Sequence, residues 1–514
     1  MAVDILLLSA LLAASALLLL TVRKLRRYNS RGHLPPGPTP FPILGNVLDI
    51  PRTRVGPAFS ALTKKYGDLV YFNLLGQPMV VIGSVKAAFD LLDKKSANFS
   101  GRYVSAVVKL AGLDSLFVLK QYGLQWRQHR RAFHLSFGID RVANHRPIQL
   151  HSARRLLSRL LTSPHNIQEN ISMLVTDSAM ASVYGIDAAS DDPECEMAKM
   201  IETLREFVEP LLLPGGYALE IFPFLRHLPS WLPGMHMKRT VEDGRRVVQG
   251  ALDKLDSLST AANREGRAMD SMMTRLLADC GADEGQEAAA KEMNQHVTAT
   301  TVLASSETTQ AAMEVFFLAA AMHPACQKAA QAELDAVVGP DRLPEFSDYG
   351  RLPYVRAFVK ELTRWHVSLP MGVPHMTVED DECNGYFIPA GTIVNVNLWA
   401  FSRDPDEYPD PDAFRPERFL GDNLPPRDPA DYVFGFGRRV CPGRHFAAAS
   451  LFIYCAALLH VFDIMPPKDE DGNTLVLEYS PRDSLVSHVE VYDYIVKPRS
   501  AKAQSLVADL SSTF

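Results

Sequence analysis

A single cysteine in an unusual setting carries the strongest chemical signal in this chain. Cys441 stands in Phe434-Gly-Phe-Gly-Arg-Arg-Val-Cys-Pro-Gly-Arg-His-Phe446, between a glycine-rich turn and an apolar run that reaches His460. Gly435, Gly437 and Gly443 permit a tight turn and close approach of the backbone to a bulky group. Pro442 suits the first turn of a helix, where its missing N–H costs nothing. Cys441 is thereby placed just ahead of a helix N-terminus, where free N–H groups and the helix dipole favour a thiolate. Three chemistries suit such a residue. It is a structural cysteine at a turn. With His445 one helical turn on, it is half of a zinc site, although no second close-spaced pair accompanies it. Or it is the one thiolate ligand of a haem iron.

Other residues have chemically suggestive spacing. Glu307 and Thr308 lie in Ala304-Ser-Ser-Glu-Thr-Thr309, midway along an apolar helical stretch. An acid beside an alcohol there is either a polar patch or a proton relay to a buried site. A Thr hydroxyl can also bond the carbonyl one turn back. Trp126 and Arg130 are four residues apart and share a helix face, as do Glu361 and Arg364, three apart. Surface pairs of either kind are common.

Taken together, Phe434, Gly437, Arg439, Cys441 and Gly443 match Phe-x-x-Gly-x-Arg-x-Cys-x-Gly. That pattern resembles the haem-ligand loop of the cytochrome P-450 monooxygenases. The resemblance implies haem b (iron protoporphyrin IX) with Cys441 as its axial metal ligand. Arg439 then pairs with a haem propionate, and Phe434 packs against the loop near the sulfur. Trp126 and Arg130 resemble the family's Trp-x-x-x-Arg element, which contacts propionates, and His375 takes a similar role. Ala304–Thr309 resembles the oxygen-activating motif, with Glu307 as the acid and Thr308 as the alcohol. Ser305 departs from it, standing where glycine is usual. Glu361, Arg364 and Arg418 (in Pro416-Glu-Arg-Phe419) resemble a buried charged triad, which implies a role in folding and haem retention. Val367 stands where a proline is usual.

Elements must hold these residues in place. The pattern predicts strands at Leu69–Leu75 and Pro78–Ile82 around a Gly76-Gln77 turn, and a helix over 86–94. Residues 103–119 read as a loop with short helical pieces. Trp126 opens a helix, and helices continue to about residue 210. Apolar residues broken by Pro and Gly follow to about 234, resembling a substrate-access lid. Residues 279–289 read as an exposed loop. The longest helix runs from about Ala290 to Met322 and is ended by Pro324; a helix over 325–338 follows. Strands are expected at Tyr386–Ile388 and Thr392–Leu398, and near 476–479 and 489–497. Residues 368–375 and the bend 483–488 are candidate substrate contacts. The fold class expected is mainly α with small β-sheets, the cytochrome P-450 fold, preceded by a single N-terminal transmembrane helix.

The 514 residues are 47% hydrophobic and 22% charged with net charge −6, which suits a large globular chain and argues against a nucleic-acid binder. Six scattered cysteines suit a reducing compartment. Ile5–Val22 is an uncharged run followed at once by Arg23, Lys24, Arg26 and Arg27. This order is the reverse of a cleaved signal peptide and reads as a membrane anchor with the remainder in the cytosol. The expected layout is an anchor over 1–22, a basic and proline-rich hinge over 23–45, a catalytic domain over 46–500 and a tail over 501–514.

The resemblance spans nearly the whole chain, most closely to membrane-bound fungal members of secondary metabolism related to O-methylsterigmatocystin oxidoreductase. It implies an O2-dependent monooxygenase of the endoplasmic reticulum acting on a hydrophobic small molecule such as a terpenoid, sterol or polyketide. The partners implied are NADPH-cytochrome P-450 reductase and membrane lipid. Arg127, Arg131, Arg438 and Arg444 are candidate docking charges. A haem-thiolate isomerase or dehydratase that uses no O2, or a non-catalytic haem or lipid carrier, are the alternatives.

Overall fold

The computed structural model describes residues 32–187, 196–212, 219, 225, 227–232, 236–266, 269–279, 287–421 and 427–511. The expected anchor over 1–22 and its basic flank lie outside these residues. So do most of the expected lid and most of the 279–289 loop. The chain forms two compact units.

The first unit comprises residues 32–103, 370–403 and 435–440. Its centre is a five-stranded sheet of order β1-β2-β7-β4-β3, built from β1 (Leu69–Leu74), β2 (Gln77–Ile82), β3 (Gly101–Arg102), β4 (His375–Met376) and β7 (Ile393–Val396). Between β4 and β7 in sequence, β5 (Asp381–Cys383) and β6 (Tyr386–Ile388) pair as a separate ribbon. β1 and β2 are near-continuous apolar runs and bury nearly every residue, as strands covered on both faces must. Helix α1 (Val55–Tyr66) covers one face, with Phe59 edge-on to Phe72 at 5.7 Å. The hairpin turn falls on Leu75-Gly76, one residue before the expected place. Both residues have positive φ (51° and 87°), the mirror-image turn that suits strand twist. The helix expected over 86–94 is a short α-turn at Val85–Ala88 that widens into a π-turn at Phe89–Lys94.

The proline-rich segment joins this sheet. Prolines lack N–H donors but keep their carbonyls. The Pro36 carbonyl accepts from the Tyr71 N–H at 2.9 Å, and the Pro38 carbonyl from Asn46 Nδ2 at 3.0 Å.

The second unit comprises residues 104–369, 404–434 and 441–511 and is chiefly helical. Its longer helices are α2 (Leu124–Phe137), α3 (Arg146–Thr162), α4 (Ile167–Tyr184), α5 (Glu196–Leu212), α6 (His236–Arg264) and α7 (Met272–Asp279), followed by α8 (Glu287–Met322), α9 (Pro324–Val337), α10 (Pro353–Trp365), α11 (Arg444–Val461) and α12 (Ala501–Ser511). Pro324 does not cap α8 directly; it occupies the first turn of α9, after His323. One core joins α3, α4, α8, α10 and α11 through Leu157, Ile171, Phe316, Phe317, Phe358 and Tyr454. α11 is buried along almost its whole length, as its apolar composition requires. It is also the one helix among the described residues long and apolar enough to cross a membrane, and it serves instead as core. The tail departs from expectation. Residues 476–479 form no strand, and only β9 (Ile495–Pro498) pairs, with β8 (Phe462–Met465). The result is mainly helical with small sheets.

Candidate functional site

Cys441 directly precedes α11. Its N–H donates to the Phe434 carbonyl at 2.7 Å, closing the loop behind the sulfur. Phe434 thus contributes its carbonyl to the loop. Burial pushes the Cys441 thiol up. The Gly443 and Arg444 N–H groups and the charges of Arg130 and Arg444 oppose that shift without overcoming it. A metal cation bound at the sulfur would favour the thiolate further. A Cβ on Gly443 would stand 4.0 Å from Sγ, an ordinary contact. Gly437 is tighter. Its φ is +52°, and a Cβ there would lie 2.1 Å from the Leu92 carbonyl oxygen. A side chain there would thus run into the chain's own backbone. Among the described residues no group of three or more His, Cys, Asp or Glu is placed to hold a metal ion, so His445 has no zinc-site companions there.

Trp126 and Arg130 share one face of α2, as their spacing predicts. The guanidinium lies over the indole at 5.8 Å, and Arg130 Nε donates to His134 Nε2 at 2.9 Å. Burial lowers the Arg130 pKa to about 10, with Cys441 acting to raise it. Arg127 and Arg131 are exposed, as is Arg438.

In the first unit, Arg439, His375 and Arg102 form a buried basic cluster. Arg439 Nε donates to the Ser100 carbonyl at 2.9 Å, Arg102 Nη1 to the Val373 carbonyl at 2.7 Å, and His375 Nδ1 to the Phe99 carbonyl at 2.8 Å. Burial and then Arg439 lower the Arg102 pKa. Burial, Arg102 and Arg439 hold His375 far below the ordinary histidine range, so it is neutral. Since its Nδ1 carries the proton toward a carbonyl, Nε2 is an acceptor until the ring is protonated. Like-charged groups gathered away from water match a dianionic, two-carboxylate ligand such as a porphyrin's propionates. The residues present therefore fit haem.

The acid–alcohol pair sits midway along α8. Thr308 Oγ1 donates to the Ala304 carbonyl at 2.8 Å, one turn back. Ser305 turns its hydroxyl onto the Val302 carbonyl at 3.3 Å, so the side chain in the usual glycine position is tied to its own helix. Leu303–Ser305 and Glu307–Thr309 are partly or fully accessible, whereas α8 is buried over Gln310–Ala321. Glu307 is held on both oxygens, Oε1 by His488 Nε2 at 2.7 Å and Oε2 by Arg205 Nε at 3.5 Å.

Glu361 and Arg364 are fully buried and joined by two hydrogen bonds, of 2.7 and 2.9 Å, and Arg418 Nε reaches Glu361 at 3.1 Å. Arg364 also donates to the carbonyls of Pro411 and Ala413, and Glu361 accepts the Arg415 N–H. This triad pins the loop over 409–418 to α10.

Sequence reasoning missed Arg102, Arg205 and Glu314, and it gave His488 no partner. Arg102 sits in a two-residue strand with no motif. The pairing of His488 links positions 181 residues apart, which no local spacing reveals.

Comparison with known proteins bears on the whole chain. The Cytochrome P450 family model matches residues 35–485. The cytochrome P450 monooxygenase COX1 of Coprinopsis cinerea is 36% identical over 492 residues, 94% of this chain and 95% of that protein. A cytochrome P450 monooxygenase of Armillaria gallica is 37% identical, covering 95% of this chain and 94% of its own. The monooxygenase claR of Ampulloclitocybe clavipes is 35% identical over 93% of this chain and 88% of its own. With a cysteine loop of this form and similarity along almost its entire length, the chain belongs to the cytochrome P450 family, oxidoreductases that hold haem iron through a cysteine thiolate.

Proposed function

We propose that this protein inserts one oxygen atom of O2 into a hydrophobic small molecule, with electrons from NADPH-cytochrome P-450 reductase, in fungal secondary metabolism. The observation that carries the reading is the closed loop at Cys441, with its Phe434 hydrogen bond and the Gly443 and Arg444 N–H groups turned to the sulfur. Cys441 is the assigned iron ligand. Haem, when bound, supplies oxygen activation, and thiolate ligation favours O–O cleavage. Arg439 and Arg102 of the first unit are assigned to the propionates, with His375 as a donor once its ring is protonated; Trp126 and Arg130 of the second unit carry the same assignment from the family resemblance. Glu307 and Thr308 move protons. The triad of Glu361, Arg364 and Arg418 keeps the 409–418 loop in place.

The substrate is apolar. Residues 103–119, 368–375 and the bend 483–488 are its assigned contacts, and their apolar side chains suit a terpenoid, sterol or polyketide. Residues 1–22 anchor the chain in the endoplasmic reticulum membrane, 23–45 serve as hinge, 46–500 as catalytic domain and 501–514 as tail. Exposed Phe41, Ile43 and Leu44 support a lipid-facing hinge region. Exposed Arg127, Arg131 and Arg438, with Arg444, are the assigned reductase-docking charges.

Co-expression with a reductase and a panel of such substrates tests the reading. A product heavier by one oxygen atom, formed only with NADPH and O2, is expected. Product formed without O2 would mean an isomerase or dehydratase, and haem uptake without turnover a carrier.

A further inference from the structure

His488, outside the cysteine loop and every motif in the sequence, sits between two carboxylates of one helix. Its Nε2 reaches Glu307 Oε1 at 2.7 Å and its Nδ1 reaches Glu314 Oε2 at 2.8 Å. Glu307 and Glu314 are seven residues apart, two turns along one face of α8. Both ring nitrogens face carboxylate oxygens, so the ring meets both as a donor only when protonated. Two of its three members are buried. Glu314 is 2% exposed and His488 8%. Gln310 Nε2 donates to the other oxygen of Glu314 at 3.0 Å. From α5, Arg205 approaches Glu307 and is itself paired with Glu202. Glu209, also on α5, is pushed up by burial and by Glu307. Tyr494 adds a neutral phenol close to Glu314, and Ser484 bonds Glu209.

We propose that His488 is a positioning residue for proton delivery, an imidazolium bridge that fixes the orientation of Glu307 and keeps it ionised. This rests on the monooxygenase reading. Burial acts against the charged ring, but the hydrogen bonds and charges of Glu307 and Glu314 more than offset it, so the cation persists at neutral pH. Removing it leaves Glu307 with Arg205 as its cation and with Glu314 and Glu209 as anionic neighbours. Glu307 then loses a charge-assisted hydrogen bond to an opposite charge, which favours the protonated carboxyl relative to wild type, and its side chain is free to turn.

The test uses the haem-loaded full chain, with His488→Gln to remove the charge and His488→Arg to restore it. The acid limb of the product-per-NADPH profile should move up by about 1–3 pH units in the Gln variant and return toward wild type in the Arg variant. Infrared difference spectra should show a protonated carboxyl band in His488→Gln that persists to higher pH than in wild type and disappears when Glu307→Gln is added. An unchanged pH profile and an unchanged carboxyl band would overturn the proposal. Should His488→Gln not fold, ring-carbon NMR of histidine-labelled wild type carries the test, with His488 assigned by its shift in Glu314→Gln. A His488 ring that loses its proton at ordinary histidine pH would overturn the bridge, and one that stays protonated well above it supports it. A wild type lacking the thiolate-haem spectrum would instead defeat the monooxygenase reading and leave the bridge standing.

Discussion

Arg102 and Arg439 bury two guanidiniums in one cluster, and Arg439 acts with burial to lower the pKa of Arg102. Guanidiniums so placed suit charge-assisted hydrogen bonds to a carboxylate ligand. Arg102→Met should therefore weaken haem retention. Hydrogen bonds to charged groups contribute about 1.5–3 kcal/mol, so haem should be lost roughly tenfold more readily or worse. Haem transfer to an acceptor globin measures the effect. Equal haem retention would remove Arg102 from the site.

The Glu361–Arg364–Arg418 triad predicts a loss of fold stability. Its charges are paired and hydrogen-bonded, so Glu361→Ala strands two guanidiniums, one of them fully buried. Breaking a buried pair in this way costs about 3–5 kcal/mol. The denaturant midpoint should fall sharply whether or not haem is present. A loss confined to the haem-loaded form would show that the triad serves the cofactor and not the fold.

Much of this was legible locally. The helix of Trp126 and Arg130, the long α8 and the buried α11 follow from periodicity and composition over short windows. The cysteine loop is a contiguous motif. What escaped was non-local. Residues 381–388 and 393–396 are close in sequence but enter different sheets, because β7 pairs in parallel with β2. The bridge at His488 and the cluster at Arg102 depend on contacts between distant segments, and a lone His or Arg carries no period. The burial that acts on Cys441 is likewise non-local: the helix start is visible in sequence, but the packing around the sulfur is not.

His488 also predicts a pH dependence of stability. Its hydrogen bonds to Glu307 and Glu314 outweigh burial and raise its pKa from 6.5 to about 9. The folded-state value lies above the unfolded one. The stabilisation is thus fully present below pH 6.5 and is lost as pH rises through about 9. The full effect is about 3 kcal/mol. Thermal unfolding of wild type should weaken between neutral and alkaline pH by more than that of His488→Gln. Parallel profiles would contradict this.

Ser305 is a milder case. Its hydroxyl is already engaged by the Val302 carbonyl. Ser305→Gly should cost about 0.5–1 kcal/mol through backbone entropy in α8. The ratio of product to hydrogen peroxide should stay as in wild type. A marked change in that ratio would mean that the hydroxyl acts on oxygen chemistry.

The central claim is that Cys441 ligates haem iron as a thiolate, and the reduced, CO-bound spectrum tests it most directly. Haem-loaded wild type should absorb near about 450 nm, and Cys441→Ser should lose that band while remaining folded. Well-folded, haem-loaded wild type without the band, or a Cys441→Ser variant that keeps it, would contradict the account.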